Sequence, residues 1–206
     1  MIGPPRPAPA GLLVAVDPGI DIAAAAIYDL SRVGRPLPVG SLDAAARGFV
    51  RVVRGRTDTR ATTLERCTAL FEWLRALALE LDPVLVVIEV PAHAGTYRGK
   101  LHRQEGAGSL NAAALEKLNR AIGALCAGAH AGCAANPEAV VVEFRSDYGK
   151  GFNRKRVRHD ALAAAFRLAG LPVVGGNEDD RDAAFLGAFY IATQLPRGRV
   201  RGAAGT

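Results

Sequence analysis

Three cysteines in 206 residues, Cys67, Cys126 and Cys133, are an odd count and too few for a disulfide framework in a domain of ordinary size. That favours an intracellular protein. Residues 1–11 are rich in proline and alanine and carry no apolar stretch, so they read as a loose tail rather than a signal peptide or membrane span. A zinc site also lacks its parts. Cys126 and His130 are four residues apart and Cys133 follows, but no fourth ligand at zinc spacing comes after, and the three read as buried filler on a helix of small residues. Acidic residues are outnumbered, 20 against 26 basic ones, giving a net charge of +6 and favouring an acidic partner such as nucleic acid.

What is present is enough for one core. Half of the residues are hydrophobic, and the pattern predicts a single domain over residues 12–195, with a basic tail over 196–206. The organising stretch is Leu12-Leu13-Val14-Ala15-Val16-Asp17-Pro18-Gly19, an apolar run that reads as a strand buried on both faces and ends in a carboxylate and a turn. Asp17 alone reads equally well as a turn aspartate. The same oddity recurs in Val84-Leu85-Val86-Val87-Ile88-Glu89-Val90-Pro91, a second buried run with a carboxylate near its end. Asp179 and Asp182 stand three apart at the start of the last helix, and Asp182 shares a stripe with Phe185, Leu186 and Phe189 that should pack on the sheet. Asp180 stands in for Asp179 if that helix begins one residue later. Carboxylates converging on a core from three elements of a basic protein suit a hard divalent cation, which prefers oxygen ligands.

Between these sites the chain alternates strands and helices. Ala23 to Leu30 suits the return strand of a hairpin, and either Val39 to Leu42 or Phe49 to Val53 supplies a third strand. Arg47, Arg51, Arg54, Arg56 and Arg60 punctuate that region as an ordinary charged edge or as contacts to a phosphate backbone. Thr62-Thr63-Leu64-Glu65 has the spacing of a capping box, and Leu64, Cys67, Leu70, Phe71, Leu74, Leu77, Ala78 and Leu81 follow at helical intervals up to Asp82-Pro83. A glycine-rich basic loop with Tyr97, Arg98, Lys100 and Arg103 leads to a helix from about Leu110 to about Ala129. Its many alanines and glycines fit either tight core packing or a subunit interface.

Ala139 to Phe144 reads as another strand. Six basic residues follow within fourteen positions, Arg145, Lys150, Arg154, Lys155, Arg156 and Arg158, and Asn153 is a candidate N-cap for the next helix. Cations at a helix N-terminus oppose the macrodipole. Their placement favours phosphate binding over a merely solvated face. The element order describes an α/β sheet with an antiparallel start, flanked by helices.

With Val16-Asp17-Pro18-Gly19, Val87-Ile88-Glu89 and Asp179-Asp180-Arg181-Asp182-Ala183-Ala184 in this order, and a basic helix before the last, the chain resembles the RuvC-type Holliday-junction resolvases of the ribonuclease H-like superfamily. The likeness runs from about Leu12 to Gln194. It implies a mixed five-stranded sheet, three antiparallel strands and then parallel ones, and a homodimer that nicks four-way DNA junctions symmetrically. It further implies two Mg²⁺ or Mn²⁺ ions held by Asp17, Glu89, Asp179 and Asp182, with Lys155 near the family's catalytic lysine. Tyr97, Arg98, Lys100, Arg103, Lys150, Arg154, Arg156 and Arg158 are then the candidate DNA-binding residues. One departure is Ala92, where the bacterial enzymes carry an aromatic wedge, so junction opening falls to another side chain such as Tyr97 or works differently. Their cleavage-sequence preference does not carry over.

Three rival readings differ in class. An actin-like ATPase needs hydroxyl or amide side chains after the first-strand glycine, where this chain has Ile20, and about twice the length. A ribosomal-RNA-processing nuclease of the same superfamily would act as a monomer on RNA. A non-catalytic junction-binding protein would have no need of all four carboxylates.

Overall fold

The computed structural model describes residues 11–33, 37–90, 112–145 and 154–197. β1 (Leu12–Asp17) lies at the centre of a five-stranded sheet, which explains its unbroken apolar run: Leu13 and Ala15 face one side, Val14 and Val16 the other, and all four are buried. β2 (Ile22–Asp29) returns antiparallel to β1, and β3 (Phe49–Arg56) is antiparallel to β2 at one edge. β4 (Leu85–Val90) lies parallel to β1, and β5 (Val140–Arg145) parallel to β4, so the order is β3-β2-β1-β4-β5. The choice left open for the third strand falls on Phe49–Arg56. Ser41 instead caps a short helix, α1 (Leu42–Ala46), accepting a hydrogen bond from the backbone of Ala44, and α1 buries Ala45 and Ala46.

One face of the sheet is covered by α2 (Thr63–Leu81) and α3 (Ala112–Gly132). The capping box forms as its spacing predicts, with Thr62 accepting from the Glu65 backbone and Glu65 reaching back to the Thr62 N–H at 2.7 Å. Such a cap contributes about 1 kcal/mol. Leu70, Leu74, Leu77 and Ala78 are the buried stripe, while Leu64, in the same series, is 76% exposed. The helix stops at Asp82, in a left-handed conformation at φ 45° ahead of Pro83. The small residues of α3 are used partly for close packing: a Cβ on Gly128 or Gly132 would strike the α2 backbone at Phe71 or Arg75. Ala113, Ala114 and Gly123, nearer its start, are exposed.

The other face carries α1, α4 (Lys155–Leu168) and α5 (Glu178–Thr193). Of the expected stripe, Asp182, Phe185 and Leu186 are buried and Phe189 is half-buried, and the stripe is only part of what α5 buries. Ala183, Ala184, Gly187, Ala188, Tyr190, Ile191 and Ala192 are covered too, because α5 lies between the sheet and the helices α1 and α4. Tyr28 sets its distance from the sheet: the fully buried hydroxyl donates to the Ala184 carbonyl, and a Cβ on Gly187 would strike the Tyr28 ring. The same ring meets Phe49 edge-on at 5.6 Å, and Phe49 meets Phe166 of α4 at 4.9 Å, so a chain of aromatics docks α4 on the strands. α4 starts with Arg154 in the N-cap position and no side-chain cap. Asn153, the expected cap, lies outside the described residues.

Candidate active site

Alternation along β1 puts Asp17 on the same face as Leu13 and Ala15, and alternation along β4 puts Glu89 with Leu85 and Val87. That is the face covered by α5. The register pairs Val16 with Ile88, so one step further on Asp17 and Glu89 emerge side by side at the carboxyl ends of two parallel strands. In open α/β sheets, ligands bind beyond such strand ends. α5 brings its N-terminus there, with Asn177 as cap and Glu178, Asp179 and Asp180 in the first turn, where negative charge complements the helix dipole.

Electrostatics ties these elements together. The Asp17 carboxyl is raised well above the usual range, first by burial and then by the charges of Glu89, Asp182 and Asp179, with Lys155 opposing. Four carboxylates from three elements therefore share one field. Asp182, only 6% exposed, is held by three side chains of α4. Lys155 Nζ lies 2.8 Å from its Oδ2, His159 Nε2 2.9 Å from its Oδ1, and Arg158 Nη2 3.6 Å from the same oxygen. Lys155 also meets Glu178 at 2.8 Å. Burial works against the lysine charge, but hydrogen bonds to Asp182 and Glu178 outweigh it and hold the Lys155 pKa above the ordinary value.

His159 was not singled out in the sequence, although a signal was available. Lys155, Arg158 and His159 stand at i, i+3 and i+4, which puts them on one face of a helix. That face meets α5. Arg154 and Arg156 point elsewhere and are exposed, Arg156 at 92% with Asp160 as a distant partner at 3.8 Å. Tyr97, Arg98, Lys100, Arg103 and Lys150 lie outside the described residues, as does Ala92. Of the arginines along β3, Arg51 meets Glu80 at 3.5 Å and Arg54 meets Asp180.

The donor set suits a hard divalent cation in chemistry, being all carboxylate oxygen. Its spacing is looser than its charge coupling: among the described residues, no three His, Cys, Asp or Glu side chains stand close enough to hold one ion as they are placed. Asp182 has both oxygens engaged by Lys155 and His159, so occupation by a cation requires these contacts to loosen. Cys126, His130 and Cys133 lie on the other face of the sheet. They line a cleft beside β5, where Cys126 donates to Glu143 at 3.6 Å and its thiol is pushed up to about 12 by burial and by the Glu143 charge.

No protein-family model matches the chain, and no curated protein matches it. Among solved structures, T. thermophilus RuvC in complex with a Holliday junction substrate superposes with a TM-score of 0.57 at 14% identity, over 88% of this chain and 94% of that one. The Thermus thermophilus RuvC structure gives 0.57 at 15% identity, over 87% and 95%. The chain has a RuvC-like fold. A Fowlpox virus resolvase complexed with Holliday junction DNA covers 92% of this chain and 99% of that one at 14% identity, but its TM-score of 0.39 carries no argument. The RuvC-like sheet is the expected mixed one, three antiparallel strands and then parallel ones, with β1 at its centre and β4 beside it. Among the described residues, no helix is long and apolar enough to cross a membrane.

Proposed function

We propose that the chain is a structure-selective endonuclease that resolves four-way DNA junctions by divalent-metal-dependent hydrolysis of phosphodiesters. The observation that carries this reading is the placement of Asp17 and Glu89 at the ends of two adjacent parallel strands, on the face covered by α5 with Asp179 and Asp182 at its N-terminus; the raised Asp17 carboxyl agrees with it. Asp17, Glu89, Asp179 and Asp182 would hold Mg²⁺ or Mn²⁺, two ions per site. When bound, such cations supply Lewis acidity toward phosphoryl oxygens and water.

The chain's own residues divide the remaining work. Lys155, kept charged by Asp182 and Glu178 and still 42% exposed, brings positive charge to the mouth of the site, where a scissile phosphate gains negative charge. Arg154 and Arg156, exposed at the start of α4, would bind the phosphate backbone together with Lys150, Arg158 and the basic loop of Tyr97, Arg98, Lys100 and Arg103. A junction has two equivalent strands to cut, and a homodimer supplies two equivalent sites. The exposed Ala113, Ala114 and Gly123 on α3 support an interface there.

The deciding experiment compares cleavage of a four-way junction, linear duplex, single strand and structured RNA, in Mg²⁺ and in EDTA. Junction-selective, Mg²⁺-dependent nicking at symmetric positions is expected. Preference for RNA, by a protein that sediments as a monomer at micromolar concentration, would replace this reading with an RNA-processing nuclease of the same fold. Tight junction binding with no cleavage in Mg²⁺ would make it a junction-binding protein.

A further inference from the structure

The first five residues of α5 carry four carboxylates, Glu178, Asp179, Asp180 and Asp182. Successive residues of an α-helix are about 100° apart, so the rotation of α5 decides which of them meet β1 and β4. Tyr28 and Gly187 govern the distance of the helix from the sheet, farther along. At the first turn another contact governs rotation. Arg54, on β3, donates Nε to Asp180 Oδ1 at 2.6 Å and Nη2 to Asp180 Oδ2, in a two-pronged pair whose aspartate side chain is only 5% exposed. The backbone N–H of Asp180 donates to Asn177 Oδ1 at 3.1 Å. Gly176 passes over the pair at φ +99°, and a Cβ there would overlap the Asp180 carboxylate and stand 2.5 Å from Arg54 Nη2. Glycine is required at that position by backbone angle and by space.

A covered carboxylate with both oxygens bound by one guanidinium is committed to that partner. We infer that Arg54 and Asp180 are a positioning pair: by gripping Asp180 on the β3 side, Arg54 fixes the rotation that points Asp179 and Asp182 toward Asp17, and neither member touches metal or substrate. The inference rests on the proposed reading of Asp17, Glu89, Asp179 and Asp182 as a cation site. It also separates two neighbours that the sequence leaves interchangeable, assigning Asp179 to the site and Asp180 to the frame that holds it.

The test is a calorimetric Mn²⁺ titration of the wild type, Asp17→Asn, Asp180→Asn, Arg54→Lys and the double variant Arg54→Lys/Asp180→Asn, with thermal melts to confirm folding. Residues behind metal ligands typically govern affinity by about 10–100-fold, so Asp180→Asn and Arg54→Lys should each weaken Mn²⁺ binding by about ten-fold or more. Lysine keeps the charge but not the fork, and its failure to rescue marks geometry as the cause. The double variant should lose no more than the worse single one, since both remove the same interaction. Junction affinity measured without divalent metal should stay within about two-fold, separating positioning from binding.

Mn²⁺ affinities within about two-fold of the wild type in both single variants would overturn the positioning role and leave the metal reading intact. Additive losses in the double variant would overturn it as well. Loss of Mn²⁺ binding in Asp180→Asn but not in Arg54→Lys would make Asp180 a ligand and also sink the pair. A wild type that binds no Mn²⁺, or an Asp17→Asn protein that binds it equally well, would overturn the site itself and the positioning with it. Should Asp180→Asn fail to fold, Arg54→Lys, altered at a residue 31% exposed, carries the test alone.

Discussion

The two faces of the sheet are built from the same strands and differ in what they bury. The face under α2 and α3 is a core of Val14, Val16, Val86, Ile88, Leu70, Leu74 and Leu125. The face under α5 has the larger core, and at the strand ends it also takes in the half-buried Asp17 and Glu89 and the buried Asp180 and Asp182. Buried carboxylates oppose folding unless they are paired. Here the pairing comes from Arg54 on β3 and from Lys155, Arg158 and His159 on α4. Alternation lets one strand serve both purposes, sending Val16 toward the stabilising face and Asp17 toward the charged one.

Substitutions on the two faces should therefore separate activity from stability. The largest effect is expected on the charged face: Asp17→Asn, Glu89→Gln or Asp182→Asn should abolish junction cleavage, by about 10³-fold or more in single-turnover rate, while junction binding stays within a few-fold. Any of the three that still cleaves is not part of the site. Opposite them, Leu74→Ala should cost about 2–5 kcal/mol of stability, read by denaturant unfolding, with the single-turnover rate at low temperature unchanged. A rate that falls with stability would mean that the two faces are coupled.

Lys155→Ala should lower the single-turnover rate by about 10²-fold at saturating protein, as loss of a preorganised donor does. A change in affinity alone would turn Lys155 into a positioning group. Arg156→Ala should instead leave the rate at saturation intact and flatten the log-log dependence of junction affinity on salt by about one unit, as expected when one fewer phosphate is neutralised.

The smallest effect reverses the usual sign of a mutation. A carboxyl whose pKa is raised in the folded state binds its proton more tightly there than in the unfolded chain. Metal-free protein should therefore lose stability as pH rises from the ordinary carboxylate range through the raised value of Asp17. Asp17→Asn removes that loss. In EDTA near neutral pH it should melt above the wild type, with the gap narrowing toward low pH. A gap that ignores pH would assign the gain to packing and not to charge.

Much of this arrangement was legible in the sequence, wherever the determining interaction is local. The apolar runs ending at Asp17 and Glu89, the Thr62–Glu65 capping box and the i, i+3 spacing of Asp179 and Asp182 are patterns within a few residues, and each element formed where its pattern lies. The third strand was ambiguous because two short apolar stretches were equally suitable, and the choice depended on Ser41 capping a helix and on Phe49 filling the space between Tyr28 and Phe166. The roles of the charges were not legible. Arg54 and Asp180 are 126 positions apart, and His159 and Asp182 are 23 apart. No helical or strand period relates such residues, and Asp179 and Asp180 look alike along the chain. Only the docking of α5 between the sheet and α4 distinguishes them, because burial makes each carboxylate depend on the cation that the fold places beside it.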